Sequence, residues 1–411
     1  MYKHKYRYIV YICLIVLALS ESVIANETDI DSIWLSNQIA KHPQITAAKL
    51  ALSGNMYQAD SLEKALYNPE ISSDFGKEGS DTTYTLGINQ TFDITNKRGS
   101  RKQQAVFSRL VAQKNYELLL QNKMAQALKS LISWQAVKKQ SNLLIQQEKQ
   151  LEDLLEIVKK RTQSGDLGQI DAELAYLSLS QRFGQTARIQ VKMRRIETQI
   201  RELLPDWNNN TFSTIQWQDS ILFDKSPLDF IDVHPSVQEA KSQWEIAILE
   251  TELAKKNKKA DPNFGLEAGK LGSENVLSLS FSMPLYVRNN FSLQYKAANQ
   301  HAMAAAANVH AVRRAQLFSI KASQAAVKEY SKRFLKWQTL MQGRGENSEN
   351  LLQKQWNIGD ISTSEYLLTL QQRTEGLIAG IELEQEYYLS IIQLLHGTAQ
   401  LNISQSNGES K

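Results

Sequence analysis

Hydrophobic and polar positions along the 411-residue chain change period twice, in the same order each time. In residues 83–92, Tyr84, Leu86, Ile88 and Phe92 fall on one face and Thr83, Thr85, Gly87, Asn89 and Thr91 on the other. In residues 276–285, Leu277, Leu279, Phe281, Met283 and Leu285 alternate with Ser278, Ser280, Ser282 and Pro284. A period of two predicts strands. Each has a weaker partner before it, Ile71 and Phe75 around Ser73, and Phe264, Leu266 and Ala268 around Gly265 and Glu267. Polar, glycine-containing turns at 76–81 and 270–275 join the partners into hairpins.

The remainder reads as helix. Residues 98–164 lack proline and carry apolar steps of four and three at Leu120, Met124, Ala127, Leu131 and Trp134, resumed at Leu144, Leu151, Leu154 and Val158. Such steps predict a coiled-coil seam. Residues 289–358 are equally free of proline and contain an Ala-rich stretch, Ala302 to Ala307. At 1.5 Å per residue the two runs predict helices of about 100 and 105 Å, too long for a compact domain. Shorter helices are expected over 33–66, 168–204, 235–260 and 361–397.

The order repeats because the chain repeats. His42-Pro43 returns as His234-Pro235, Asn68-Pro69 as Asp261-Pro262, Gly79-Ser80 as Gly272-Ser273, and Gly165-Asp166 as Gly359-Asp360, with offsets of 192 to 194. That period is far longer than a solenoid repeat. The expected organisation is a first repeat at 26–205, a linker at 206–228, a second repeat at 229–397 and a polar, disordered tail at 398–411. Ahead of them, residues 1–25 read as a secretory signal peptide. Lys3, Lys5 and Arg7 form its positive region, Ile9 to Leu19 its apolar region, and Val23 and Ala25 its small residues. An uncleaved N-terminal anchor is the rival reading, although the apolar run is short for a membrane span.

Strands of 9–11 residues with one apolar and one small polar face suit an ordinary half-buried hairpin, and they also suit a membrane barrel. Four strands per chain cannot close a barrel, and unpaired edge amides are not tolerated in lipid. If the strands span a membrane, several chains share one barrel, and the helices form a matching hollow tube.

Composition narrows the chemistry. With 47 Lys+Arg against 43 Asp+Glu the net charge is only +4, too even for a general nucleic-acid binder. One cysteine, Cys13, excludes an intrachain disulfide and any Cys-based zinc or iron–sulfur site. It lies inside the apolar region of the signal peptide, away from a lipidation point. His301 and His310 are nine apart and form no helical metal pair, and the seven methionines are scattered. His42 and His234 precede prolines at helix starts, where capping or packing is their expected role. No phosphate loop or nucleophile constellation is present. The sequence is not that of an enzyme, and it implies no cofactor.

The duplication, the segment Gln90-Thr91-Phe92-Asp93-Ile94-Thr95-Asn96-Lys97-Arg98-Gly99 and the turns Ser164-Gly165-Asp166 and Ile358-Gly359-Asp360 together resemble the TolC-like outer-membrane efflux family. Length and the Lys-Arg-Gly sequence point to its cobalt–zinc–cadmium and copper efflux branch. The resemblance covers nearly the whole chain after the signal peptide. It implies a mainly α-helical fold with a membrane β-barrel. Four strands per chain would join a trimeric twelve-stranded barrel, continued by a long helical periplasmic tunnel. It further implies a homotrimer in the Gram-negative outer membrane, in contact with its lipid. Such a trimer is a passive duct joined through a periplasmic adaptor (membrane fusion protein) to an inner-membrane pump of the RND type. Divalent heavy-metal cations are then the expected cargo. Drug or protein export is the alternative within the family, and a soluble periplasmic coiled-coil scaffold or adaptor the alternative outside it. A compact biotinyl-like β domain between paired helices would mark an adaptor, and duplicated hairpins stand there instead.

The resemblance also names residues. It implies adaptor-contact tips at Gly165, Asp166, Gly359 and Asp360, and a periplasmic gate near them. Relatives narrow that entrance with acids six and nine residues after the second turn glycine. Glu365 matches the first position, and Leu368 departs from the second; Asp171 holds the six-residue place in the first half. Acids at a three-fold narrowing repel one another and attract cations. Capping and helix-dipole roles explain Asp166, Asp171, Asp360 and Glu365 equally well if they lie in first helical turns. Lys97, Arg98, Arg101 and Lys102 form a basic cluster after the second strand. It either meets lipid head groups or a neighbouring subunit's acids, or simply solubilises a helix start.

Overall fold

A computed structural model describes residues 34–209, 226–342 and 346–401. The signal peptide, most of the linker and most of the tail lie outside the described residues. In chain order the elements are α1 (34–40), α2 (Pro43–Leu62), β1 (Glu70–Glu78), β2 (Asp81–Thr91), α3 (Lys97–Gln163) and α4 (Gln169–Leu203), then α5 (Leu228–Ile231), α6 (Pro235–Lys256), β3 (Asn263–Leu271), β4 (Glu274–Ser282), α7 (Ser292–Met341), α8 (Glu346–Asn357) and α9 (Thr363–Gly397). The second long run is described as two helices, one ending at Met341 and one starting at Glu346, and residues 343–345 lie outside the described residues. Among the described residues no helix is long and apolar enough to cross a membrane.

Two compact units emerge. One comprises residues 47–119 and 228–317 and contains the strands. These form one antiparallel sheet in the order β1-β2-β3-β4. Both hairpins turn on two residues, with Glu78 opposite Asp81 and Leu271 opposite Glu274. Gly79 and Gly272 each take φ +61° at the first turn position, as a II′ turn requires. The register stacks like on like. Ile71, Ile88, Leu266 and Leu279 are successive partners across the sheet, as are Ser73, Leu86, Ala268 and Leu277. Those large side chains are bare: Ile71 is 80% and Leu279 81% exposed. The opposite face carries Thr85, Gly87, Asn89, Gly265, Gly269, Ser278 and Ser280. It is so crowded that a Cβ on Gly269 would lie 2.1 Å from the Tyr84 carbonyl oxygen. β1 and β4 end the sheet, so each leaves one edge without a partner strand among the described residues.

The start of α6 shows why His-Pro recurs. Pro235 occupies the first turn, and His234 Nδ1 accepts from Ser236 N–H at 3.2 Å. His42 Nδ1 does the same for Gln44 N–H at 3.1 Å before α2, while its Nε2 lies 3.0 Å from Glu202. Both histidines cap helices.

Of the described residues, the other unit comprises 34–46, 120–209, 226–227, 318–342 and 346–401. Along α3, Val137, Leu144, Leu151 and Val158 recur every seventh residue and are all at most 4% exposed. Trp207 is buried edge-on against Trp134, with centroids 5.1 Å apart, and Asp206 accepts from Lys41 at 2.6 Å and Gln38 at 2.9 Å. Thr398 is the C-cap of α9 and Leu401 is buried.

Candidate functional site

The end of α3 and the start of α4 form one helix–turn–helix tip, and α8 with α9 forms another. The same backbone device closes both. Gly165 has φ +81° and Gly359 φ +84°, the left-handed region that glycine enters at no steric cost. Asp166 N–H donates to Arg161 O at 2.9 Å and Gly165 N–H to Thr162 O at 3.2 Å. Asp360 N–H donates to Gln355 O at 2.9 Å and Gly359 N–H to Trp356 O at 3.1 Å. Each pair is a Schellman closure that satisfies carbonyls the helix end leaves open.

Three residues after each glycine comes the N-cap of the next helix, and three residues later an acid. Ser362 Oγ accepts from Glu365 N–H at 3.2 Å, and Glu365 Oε2 accepts from Ser362 N–H and from the Ser362 hydroxyl, both at 2.8 Å. This is a complete capping box. The Ser362 backbone N–H, then its hydroxyl, hold the Glu365 carboxyl below the usual glutamate range. In the first tip the N-cap is Gly168. Asp171 Oδ2 accepts from Gly168 N–H at 3.2 Å, and glycine has no side chain with which to reciprocate. The six-residue positions are thus the third residues of their helices. Asp166 and Asp360 differ from expectation: they follow the turn glycines, before the first turns of α4 and α9, because those helices start only at Gln169 and Thr363. Asp166 Oδ2 instead accepts from Ser164 Oγ at 3.1 Å.

A single cluster joins the two tips. Leu151, Leu154, Leu155 and Val158 of α3, Ala175 and Leu179 of α4, Trp356 of α8, and Tyr366, Leu367 and Leu370 of α9 pack together, all buried. Trp356 is its polar anchor as well. The indole Nε1 donates to the buried Thr363 Oγ1 at 3.3 Å, Tyr366 lies against the ring at 5.4 Å, and the Arg161 guanidinium sits 5.6 Å over it. Glu365 and Leu368 face away from this cluster, Leu368 being 55% exposed, whereas Asp171 is half-buried beside its own turn. Farther along, the interior turns polar. Arg182 is buried, which lowers its pKa against the opposing fields of Glu375 and Glu148, and Gln147 Nε2 donates to Leu370 O at 2.9 Å. Trp356, Thr363 and Arg182 had no motif to announce them.

The basic cluster is divided. Lys97 is not a surface cation: its Nζ donates to Asp261 at 2.7 Å, with side chains only 5% and 3% exposed, and to Lys259 O at 3.3 Å. Tyr67 Oη donates to the same Asp261 oxygen at 2.6 Å, and burial, then that carboxylate, raises the phenol pKa above its usual range. Losing one partner of such a pair costs about 3–5 kcal/mol. Arg98 is exposed and its Nε donates to Glu63 O at 3.0 Å; Arg101 is half-buried and Lys102 exposed. Asp93 accepts the Lys97 and Arg98 N–H groups at 2.9 and 2.8 Å, which caps the start of α3. Among the described residues no group of three or more His, Cys, Asp or Glu side chains is arranged to hold a metal ion.

No protein-family model and no curated protein matches the chain. Solved structures do. CmeC, an outer-membrane channel of Campylobacter jejuni, superposes with TM-score 0.75 at 12% identity, over 92% of this chain and 87% of that one. CusC, described for its folding and transmembrane channel formation, gives 0.73 at 12% over 89% and 91%. MtrE of Neisseria gonorrhoeae, in its open state, gives 0.73 at 11% over 90% and 89%. All three are channels rather than enzymes. The chain therefore has the fold of the TolC-like channels, in which four strands from each of three chains close a twelve-stranded barrel continued by a helical tunnel.

Proposed function

We propose that the protein is the outer-membrane channel of a tripartite efflux system, a passive homotrimeric duct served by a periplasmic adaptor and an inner-membrane pump of the RND type. The sheet carries this reading. Its apolar face is bare, its polar face is lined with small residues, and its two edges have no partner strand among the described residues. Lipid tolerates such edges only when further strands close the sheet. Three copies supply them, with Leu86, Ile88, Leu279 and Phe281 outward and Thr85 and Ser280 toward the lumen. Fractionation tests the reading. The protein should require detergent for release from outer membranes and run as a trimer. Release from the periplasm as a soluble monomer would refute it and favour a scaffold.

The turn tips, Gly165-Asp166 and Gly359-Asp360, serve in this reading as adaptor contacts, and Glu365 with Leu368 lines the entrance. Their outward placement on α9 supports that role, while the capping bonds of Glu365 give it a second function at the same position. Single-channel recording separates the two. Glu365→Ala should alter cation block at the entrance and Leu368→Ser should raise leak; unchanged conductance and block would leave Glu365 as a cap alone.

Divalent cations are the cargo we favour. Chain length and the Lys-Arg-Gly sequence, through the resemblance to the cation efflux branch, support them, although Lys97 itself is paired internally with Asp261. Growth of a deletion strain on cobalt, zinc, cadmium and copper, against dyes and detergents, decides the cargo. Sensitivity to organic compounds alone would overturn the metal reading.

A further inference from the structure

The charges of the sheet are sorted by sign. Strand alternation and the observed register put Glu70, Asp74, Asp81, Glu267 and Glu274 on the face that carries the glycines, serines and threonines. Glu70 pairs with Asn89, Asp74 with Thr85, Glu267 with Gly87 and Ser278, and Glu274 with Leu271. The strands' two lysines take the opposite parity. Lys77 pairs with Thr82, and Lys270 with Tyr84 and Asn275, on the bare apolar face. Among the described residues, no Lys or Arg stands on the polar face of the four strands and no Asp or Glu on the apolar one. Composition does not explain this, since the whole chain has more basic than acidic residues, 47 against 43. A merely solvated surface intersperses the two signs.

We infer that this face makes the barrel prefer cations to anions, through the field of its wall rather than through a bound ion. The inference rests on the duct reading and names the charge class of its cargo. A lumen walled by low-dielectric membrane focuses the field of its lining charges and raises the local concentration of counter-ions. Three chains repeat these carboxylates around one bore, and with no positive charge among them the fields add. Glu267 is steadied on the face by the hydroxyl of Thr85, which donates to its carboxylate. Multivalent cations gain most from such a field, and anionic cargo is disfavoured. Lys77 and Lys270, on the lipid side, contribute little to the bore.

Screening gives the effect a signature. The Debye length is about 10 Å at 0.1 M salt and about 3 Å at 1 M. A wall field therefore reaches the bore in dilute salt and withdraws to the wall in concentrated salt.

Reversal potentials of the purified trimer in planar bilayers, under KCl gradients, test the inference. The wild-type channel should favour potassium over chloride in dilute KCl, and the preference should shrink toward parity in 1 M KCl. The triple variant Glu70→Gln/Asp74→Asn/Glu267→Gln should lose the preference in dilute salt, whereas Lys77→Gln/Lys270→Gln should keep it. The salt series needs no variant, so it stands even if the triple variant fails to assemble. Conducting channels whose selectivity ignores salt, or survives the triple substitution, overturn the inference and leave the duct intact. Selectivity lost with Glu365→Gln alone and kept in the triple variant overturns it equally, and assigns the preference to the entrance. Trimers that conduct no ions even when Leu368→Ser loosens the entrance overturn the duct reading, and this inference with it.

Discussion

The two helix–turn–helix tips share a backbone and differ in how their second helices begin. Gly165 and Gly359 make the same closure, and the acids Asp171 and Glu365 stand at the same distance beyond it. The second tip completes a reciprocal box through Ser362, while the first has only the bond to the Gly168 backbone. The second tip also keeps Trp356 bonded across its turn to Thr363. Turn geometry is thus fixed by one glycine, and the firmness of the helix start is adjusted separately by the N-cap. The expected consequence is a first tip that opens more readily than the second. Hydrogen exchange at the first amides of α4 and α9 measures this directly.

The largest change to that comparison comes from the shared cluster. Trp356→Ala removes a fully packed indole and should cost about 3–5 kcal/mol. Because the cluster contains residues of both tips, exchange should accelerate at α4 as well as α9. Acceleration confined to α9 would show that the tips are energetically separate. Next come the turn glycines. Gly165→Ala and Gly359→Ala each force a side chain into the left-handed region, for about 1–2 kcal/mol, and the two costs should match closely because the φ values lie within a few degrees of each other. A clear inequality would mean that the closures differ in more than their caps.

Caps distinguish the tips. Ser362→Ala should cost about 1 kcal/mol and bring the second tip toward the first. Acid should do the same to a lesser degree, since it removes only the carboxylate's share. The folded Glu365 value lies below its ordinary 4.5, so its contribution is complete above pH 4.5 and is lost as the pH falls through the lowered value. Protection at the start of α9 should drop in that acid window, and Glu365→Gln should abolish the pH dependence. The smallest effect is the reverse experiment. Gly168→Ser should strengthen the first tip by only a few tenths of a kcal/mol, because glycine is itself a tolerable N-cap.

Much of this architecture is legible in the sequence. Strand parity, the paired turn glycines and the proline-free run of α3 each leave a local pattern with a single physical reading. The capping box is legible too, since Ser362 and Glu365 have the spacing of one, although a gate explains Glu365 from the same position. Other features leave no local trace. Asp261 lies 164 residues from Lys97, and only the fold shows that this cation is internal. Trp356 reads as one more apolar helix residue until Thr363 is seen across the turn. Likewise, the sorting of the sheet's charges depends on register, which the pairing of β2 with β3 fixes across more than 170 residues.

The crowding at Gly269 has a bearing on how such a channel can evolve. Its missing side chain is replaced in space by the main chain of the next strand, at Tyr84 and Thr85, which no rotamer change can move aside. At that level the wall is already as thin as a polypeptide can be, and it resists thickening. Mutation can therefore repaint the lining at neighbouring serines, threonines and acids more easily than it can alter the calibre there. In the duct reading, substitution is freer to change what the lining attracts than how wide it is at that level.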